Sequence, residues 1–497
     1  MPITFNKILI ANRGEIAVRI IRACKELGII SAAIYSEADK TSDHIKFADE
    51  SYYIGEAPSS SSYLNKEKII SLAKKIKADA VHPGYGFFSE NADFISSIEN
   101  EGIVFIGPSS ESVRMMGSKT AARRLMSKHN VPIVPGTTEP VKSISEGISA
   151  AKEIGFPVLL KASAGGGGKG MRKVSSEDEF QPAFEAIQRE ALKAFADDSV
   201  YIEKYIENPR HIEVQVIADK HGNYAHLFER ECSIQRRHQK IIEEAPSSFV
   251  DEKTRLKITT TAINAAKACS YYNAGTIELL MDADKNFFFL EMNTRLQVEH
   301  PVTEMISGID LVKEQISIAA GNKLSFKQED IKISGHAVEC RIYAEDPENN
   351  FLPSTGRIYE YIMPAGPGIR LDSGFSAGSN ISVYYDPMIS KLISYAGNRE
   401  NAIERMLRAL SEYHIAGVTH NIPFLRSILS DSKFGKGEID INFIERNLPA
   451  LISSEACTGE IKDAAAVIAV LLKAKPVPDS PGKNNHSYNK WNELLHE

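Results

Sequence analysis

Glu278 and Glu291 constrain this chain most, because each lies in a segment that reads as a strand and a short link joins the two. In Gly275-Thr276-Ile277-Glu278-Leu279-Leu280-Met281, alternation points Ile277, Leu279 and Met281 one way and Glu278 the other. Phe287-Phe288-Phe289-Leu290 is short and aromatic, as strands are. Alternation then puts Phe288, Leu290 and Met292 on one face and Glu291 and Asn293 on the other. The link Asp282-Ala283-Asp284-Lys285-Asn286 is rich in turn formers and closes a hairpin. Folded symmetrically, it sets Asp282 against Phe287, Leu280 against Phe289 and Glu278 against Glu291. Facing carboxylates repel unless a cation lies between them. With the Asn293 amide oxygen on the same face, the set suits a hard cation such as Mg²⁺ that shares phosphate oxygens with a substrate. The plainer alternative is a solvated acidic hairpin.

The rest of the 497 residues leave room for several domains and a large core. A hydrophobic content of 43% and a charged content of 25% are ordinary for a soluble globular protein. A net charge of −7 offers no reason to expect nucleic acid or an anionic membrane as partner. No apolar run is long enough to span a bilayer, and the first residues lack a secretory core, so a cytoplasmic protein is expected. The five cysteines are odd in number and widely spaced, with no Cys-x-x-Cys pair, which argues against a disulfide framework or zinc site.

Taken in order, Lys7 to Ala11 reads as a strand, followed by a helix with Ile20, Ile21, Cys24 and Leu27 on one stripe and Gly28 as its cap. Ile29 to Tyr35 completes a βαβ unit, hence a parallel, Rossmann-like sheet. Its first turn has a single glycine, which argues against a nicotinamide site. Ala80 to Gly86 is a second strand end with a glycine turn. From Lys119 the pattern changes to a basic helix (to Asn130), strands at 156–161, 172–174, 199–206 and 210–217, and a helix at 254–270. Short strands and Gly/Pro turns fill 335–393, and Asn401 to Tyr413 is a helix. A helix over Glu460 to Lys473 and Trp491 with Leu494 and Leu495 offer a docking element or a frayed tail.

Three further stretches carry chemistry. Gly165, Gly167 and Gly170 match G-x-G-x-x-G, but no helix follows, and Met171 stands where a P-loop has lysine. What remains is a flap between two strands whose bare amides can close over phosphates, bracketed by Lys161 and Lys169. Gln235-Arg236-Arg237-His238-Gln239-Lys240 is either a solvated basic face or an anion site. Arg295, Gln297 and Glu299 share a side if their segment stays extended; an arginine beside a glutamate can hold a small oxyanion and take its proton.

A strand lysine, a glycine flap and late Glu/Glu-x-Asn ligands resemble the ATP-grasp fold. Within it, IANRGEIAVRIIRACKELGI, HPGYGFFSEN, KASAGGGGKGMR, RHIEVQV, ECSIQRRHQK and EMNTRLQVEHPVTE resemble the biotin carboxylase family, from about Lys7 to Leu448. Ala164 and Lys169 depart from the commonest form of the glycine run and are similar to acyl-CoA carboxylase chains. The resemblance implies an N-terminal parallel-sheet domain over 1–115 and an ATP-grasp domain over 116–330 with a flap subdomain at about 133–205. A mainly antiparallel β domain with helices would follow over 331–448, then a tail over 449–497.

It also implies roles. Lys119, Lys161, Gly167 and Gly168 would grip ATP phosphates. Glu203, Lys204, Tyr205 and Ile206 would hold adenine through their backbone, and His211, Gln235 and His238 would touch the nucleotide. Glu278, Glu291 and Asn293 would bind Mg²⁺ or Mn²⁺. Lys240, Arg295, Gln297 and Val298 would seat bicarbonate, with Glu299 as base, and Tyr85 and Arg341 would face biotin. The catalytic set is thus Glu299, Arg295, Lys240 and Arg341. No Met-Lys-Met triplet occurs, so biotin is expected on a separate carrier protein, with a carboxyltransferase as a further polypeptide. The resemblance implies a homodimer, and acetyl-CoA, propionyl-CoA and pyruvate are all compatible acceptors. An ATP-grasp ligase acting on another carboxylate, or making carbamoyl phosphate, is the rival enzyme reading; a nucleotide-sensing subunit is the non-enzymatic one.

Overall fold

Five short strands open the chain: β1 (Lys7–Ile10), β2 (Ile30–Ser36), β3 (Glu50–Gly55), β4 (Ala80–His82) and β5 (Val104–Phe105). The computed structural model describes residues 5–137, 139–162, 171–195 and 198–453. The glycine run, the helix expected at 460–473 and Trp491 lie outside them. The five strands are parallel in the order 3-2-1-4-5, so a crevice opens at the carboxyl ends of β1 and β4. α1 (Gly14–Glu26) crosses from β1 to β2 and buries Ile16, Ile20, Ile21 and Cys24. Leu27, expected on that stripe, is 44% exposed, because the helix ends at Glu26 and Gly28 reverses the chain at φ +70. The protein's own groups close the crevice. Asn12 Nδ2 donates to the carbonyls of Pro83 (2.6 Å) and Tyr85 (2.8 Å). Gly84 passes so near that a Cβ there would lie 2.9 Å from that nitrogen.

α2 (Lys119–Lys128) leads to a second layer. There α3 (Ile144–Ile154) and α4 (Phe180–Phe195) accompany β6 (Val158–Ala162), β7 (Met171–Val174) and β8 (Val200–Lys204), an antiparallel sheet in the order 7-6-8. Val158, Leu160, Phe180, Phe184 and Ile202 form its core. The alternation that buries Val158 and Leu160 turns Lys161 to the other face. β6 and β7 flank the glycine run, as a flap hairpin should.

The largest sheet has eight strands: β9 (Arg210–Ala218), β10 (Tyr224–Arg236), β11 (Gln239–Ala245), β12 (Asn273–Met281), β13 (Phe287–Asn293), β14 (His336–Tyr343), β15 (Ile369–Ser373) and β16 (Met388–Ala396). Their order is 13-12-9-10-11-14-16-15, with every neighbouring pair antiparallel. The C-terminal strands are antiparallel as expected, but they continue the central sheet through a ladder from Ile242↔Cys340 to Ala245↔Ala337. One face of the sheet is apolar. α5 (Glu252–Ala268) packs there on Ile212, Val214, Ile277 and Leu279, and α7 (Arg399–Glu412) packs on Val338, Cys340 and Leu392. Residues between these positions, including His211, Glu213, Glu278, Glu339 and Arg341, face the other way. α6 (His300–Ser307) covers part of that polar face through Val302 and Ile306.

The β12–β13 hairpin corrects the symmetric register. Near its tip Met281 faces Phe287, Leu280 faces Phe288 and Leu279 faces Phe289. A bulge at Leu290 then adds one residue, so that Glu278 does face Glu291, and Thr276 faces Asn293. The bulge also breaks the expected alternation. Phe289 and Met292, not Phe288 and Leu290, enter the core. The Asp282 carboxylate accepts from the amides of Asp284 and Asn286, so Asp282 joins the turn and the ladder ends one pair earlier. Cys24, Cys232, Cys269 and Cys340 are buried free thiols, and among the described residues no helix is long and apolar enough to cross a membrane.

Candidate active site

Lys240 is the centre of the polar face. Its Nζ lies 2.5 Å from Glu213 Oε2, 3.0 Å from Glu278 Oε1 and 2.6 Å from Glu299 Oε1. Burial works against the ammonium, but these three carboxylates outweigh it and hold Lys240 charged well above its ordinary range. It reaches them because the β10–β11 turn is only two residues, Arg237 and His238, both at positive φ. The basic run is therefore split: Arg237 and His238 are exposed at the tip, while Gln235 and Lys240 point into the site.

Glu278 accepts from Lys240 and from Gln297 Nε2 (2.7 Å), and its other oxygen lies 3.1 Å from His211 Nε2. Gln235 Nε2 meets His211 Nδ1 at 2.9 Å, which orients the ring with Nε2 toward Glu278. Burial pushes the Glu278 carboxyl up, but Lys240 and His211 reverse this and hold it below the carboxylate range. Beneath them Arg230 is fully buried and uses all five N–H groups. It binds the Glu213 carboxylate, Gln215 (2.8 Å), Thr303 (2.9 Å), Thr276 (3.2 Å) and Gln297 (2.7 Å).

Glu299 sits at the start of α6 between two cations, 2.6 Å from Lys240 and 3.0 Å from Arg341 Nη2. Burial raises its carboxyl, but Lys240, Arg341 and Arg230 prevail, so it is ionised well below its ordinary range. Arg341 also holds Glu243 Oε1, at 2.6 Å from Nε. Glu243 faces Glu339 across the β11–β14 ladder, and both are fully buried. Burial pushes the Glu243 carboxyl up to about 7 even with Arg341 pulling it down. Burial also pushes the Glu339 carboxyl well above its ordinary range, and neither of its oxygens has a hydrogen-bond partner among the described residues.

The segment after β13 is an irregular turn, not an extended strand. The irregular turn still brings Gln297 and Glu299 to the Lys240 cluster, and Arg295 lies near enough to Glu299 and Glu278 for their charges to raise its pKa. Arg295 donates to Glu90 Oε2 and Asn293 Oδ1, each at 2.8 Å, and the arginine on Glu299 is Arg341. Asn293 Nδ2 is buried without a partner among the described residues. Glu90, Met116, Gly117, Glu291, Asn293 and Thr294 line a cleft of about 210 Å³. The facing carboxylates Glu278 and Glu291 fit a hard cation, with Asn293 Oδ1, which here accepts from Arg295, as a neutral oxygen beside them.

On the flap side, Lys161 and Arg123 (2.8 Å) both grip Glu203. The amides of Lys204 and Tyr205 donate to the carbonyls of Pro135 (2.7 Å) and Pro157 (3.1 Å). Ile206 follows the strand, and Lys119 opens α2. Gly167 and Gly168 lie outside the described residues. Val298 offers its carbonyl to Lys391 (2.8 Å), and the Tyr85 hydroxyl is bound to Glu15. Sequence reasoning missed Glu213, Arg230, Glu243, Glu339, Lys391 and Glu90. A signal existed for two: Glu213 lies on the same strand face as His211, and Glu339 on the same face as Arg341.

Comparison with known proteins covers nearly the whole described chain. The family described as "Biotin carboxylase, N-terminal domain" matches residues 4–113. "Carbamoyl-phosphate synthase L chain, ATP binding domain" matches 118–327, and "Biotin carboxylase C-terminal domain" matches 339–446. Biotin carboxylase 2 of Bacillus subtilis is 53% identical over 444 residues, 89% of this chain and 100% of that one. The mitochondrial propionyl-CoA carboxylase alpha chain of Homo sapiens is 52% identical over 471 residues, 94% of this chain but 65% of that longer one. Among solved structures, one similar fold is the biotin carboxylase domain dimer of Hydrogenobacter thermophilus 2-oxoglutarate carboxylase, in complex with MgADP, ADP and bicarbonate. The TM-score is 0.86 at 49% identity, over 91% of this chain and 99% of that one.

Proposed function

This chain belongs to the biotin carboxylase family, and on that premise we propose that it carboxylates biotin at the expense of ATP and bicarbonate, with residue roles as follows. The observation that carries the reading is Lys240 held between Glu213, Glu278 and Glu299 while Arg341 takes the second oxygen of Glu299.

Lys119 and Lys161, with the amides of Gly167 and Gly168, bind the nucleotide phosphates. Lys161 leaves Glu203 to do so. The strand Glu203 to Ile206 presents backbone to adenine, and His211, Gln235 and His238 complete the nucleotide's contacts. Glu278, Glu291 and Asn293 hold Mg²⁺ or Mn²⁺, which when bound offsets phosphate charge. Bicarbonate takes up donors from Lys240, Arg295, Gln297 and Val298. Glu299 accepts the bicarbonate proton as the freed oxygen attacks the γ-phosphorus, giving ADP and carboxyphosphate. Lys240, Arg341 and Arg230 hold Glu299 ionised, and bicarbonate displacing it from Lys240 makes it more basic. The flap excludes water from carboxyphosphate, which breaks to CO₂ and phosphate. That phosphate takes the ureido proton of biotin. Arg341 pairs with the enolate oxygen, Tyr85 lines the biotin side, and the ureido nitrogen attacks CO₂.

The context is part of the same proposal. The chain acts as the biotin carboxylase component of an acetyl-CoA or propionyl-CoA carboxylase, in the cytoplasm and as a homodimer. Its organisation is 1–115, 116–330, 331–448 and 449–497, with carrier and transferase on other polypeptides. Similarity to a propionyl-CoA carboxylase alpha chain across 94% of this chain supports the acyl-CoA context. The test is ADP release with bicarbonate and free biotin. Release should require bicarbonate and rise with biotin, with label passing from bicarbonate into biotin. Release driven by ammonia or an amino acid instead would overturn the reading. Identifying the transferase captured with the native complex tests the context, and a pyruvate-specific transferase would replace it.

A further inference from the structure

Lys391 is a lysine at 0% exposure whose ammonium meets a backbone carbonyl and two carboxylates. Its Nζ donates to the Val298 carbonyl at 2.8 Å and lies 3.2 Å from Glu15 Oε1 and 3.9 Å from Asp372 Oδ2. The carboxylates alone would compensate a buried ammonium. The bond to Val298 does something else, because that carbonyl belongs to the peptide leading into Glu299. The two preceding carbonyls of this turn are held locally, Leu296 by Arg295 (3.3 Å) and Gln297 by His300 (2.7 Å). The Val298 carbonyl is held from a strand far along the chain. Rotation of the 298–299 peptide would swing this carbonyl and the Glu299 amide together and shift the start of the Glu299 side chain. Lys391 also stands directly opposite Arg341 in the β14–β16 ladder. One strand pair therefore supplies both the arginine on the Glu299 carboxylate and the lysine on its peptide.

We propose that Lys391 is a positioning residue for the bicarbonate half-reaction, fixing the 298–299 peptide so that the Glu299 carboxylate meets the bicarbonate seat. The proposal rests on the biotin carboxylase reading, in which Glu299 is the base. Its test uses bicarbonate-dependent ADP release without biotin, in the full chain. Lys391→Met keeps the side chain's bulk and removes the donor. A displacement on the order of 1 Å can cost roughly 100-fold, so the KM for bicarbonate should rise about 10- to 100-fold while the KM for ATP stays within about twofold. Lys391→Met also leaves Glu15 without a cation, with only the Tyr85 hydroxyl donating to it. In the double variant with Glu15→Gln the melting temperature should recover while the bicarbonate KM stays raised. A purely structural lysine would lower the melting temperature and leave both KM values alone. An unchanged bicarbonate KM in either folded variant overturns the proposal, and so does loss of the native melting transition in both. No bicarbonate-dependent release from the unaltered chain would instead bring down the reading on which it rests.

Discussion

Arg341→Ala should separate the two halves of the proposed reaction. The guanidinium gives Glu299 a donor at 3.0 Å and Glu243 one at 2.6 Å. Without it Glu299 keeps Lys240 at 2.6 Å, so proton abstraction from bicarbonate survives. Biotin carboxylation loses the donor to the enolate oxygen, which typically costs about 100- to 1,000-fold, or about 2.7–4 kcal/mol. The fold should tolerate the change. Breaking a buried pair usually costs about 3–5 kcal/mol because a charge is stranded. Glu243, with its carboxyl already pushed up to about 7, can take a proton near neutral pH instead of remaining an unpaired anion. The assay measures ADP and carboxybiotin in the same samples, with and without biotin. Carboxybiotin should fall by that factor while ADP release without biotin stays within about threefold, a residual effect of roughly 0.6 kcal/mol. Equal losses in the two readouts would place Arg341 upstream of biotin and refute the reasoning.

Glu299→Gln should abolish both readouts, since bicarbonate must be deprotonated first; surviving ADP release would give the base to another group. Glu291→Gln should cripple phosphoryl transfer without lowering ligand-free stability, because facing carboxylates repel; unchanged turnover at limiting Mg²⁺ would remove Glu291 from the cation site. Glu243 has a folded-state carboxyl raised above 4.5 to about 7, so the native form holds an extra proton in that window and this group's contribution falls as pH rises through it. Glu243→Gln should then gain melting temperature relative to the parent as pH rises from about 4.5 to 7, and a constant difference would mean that Glu243 is not the group titrating. The chain should carry no covalent biotin, which a streptavidin blot can contradict.

The hairpin shows what was legible in the residues and what was not. Alternation put Ile277 and Leu279 in the core, and symmetric folding of the link set Glu278 opposite Glu291, a pairing that the bulge restores. The bulge at Leu290 escaped because Asp282, bonded within the turn, leaves the ladder and shifts the tip register by one residue, which periodicity does not encode. The same limit applies to the site. Lys240, Glu299 and Arg341 stand in conspicuous motifs. Glu243 and Lys391 lie in ordinary-looking strands, and they matter because β11, β14 and β16 become neighbours. Glu90, the partner of Arg295, escaped for a related reason: it comes from the first sheet's region, far away in the chain.

The uninterrupted eight-stranded sheet also governs how the molecule can be cut. A division after residue 330 falls between a short 3-10 helix (Gln328–Asp330) and β14, yet it would part β11 from β14 along the ladder between Ile242 and Ala245 and their partners. Each fragment would then present a raw strand edge flanked by core residues such as Ile242 and Cys340. Such edges pair with whatever strand they meet. Fragments ending or beginning there should aggregate when expressed apart, and co-expression should rescue solubility by restoring that ladder.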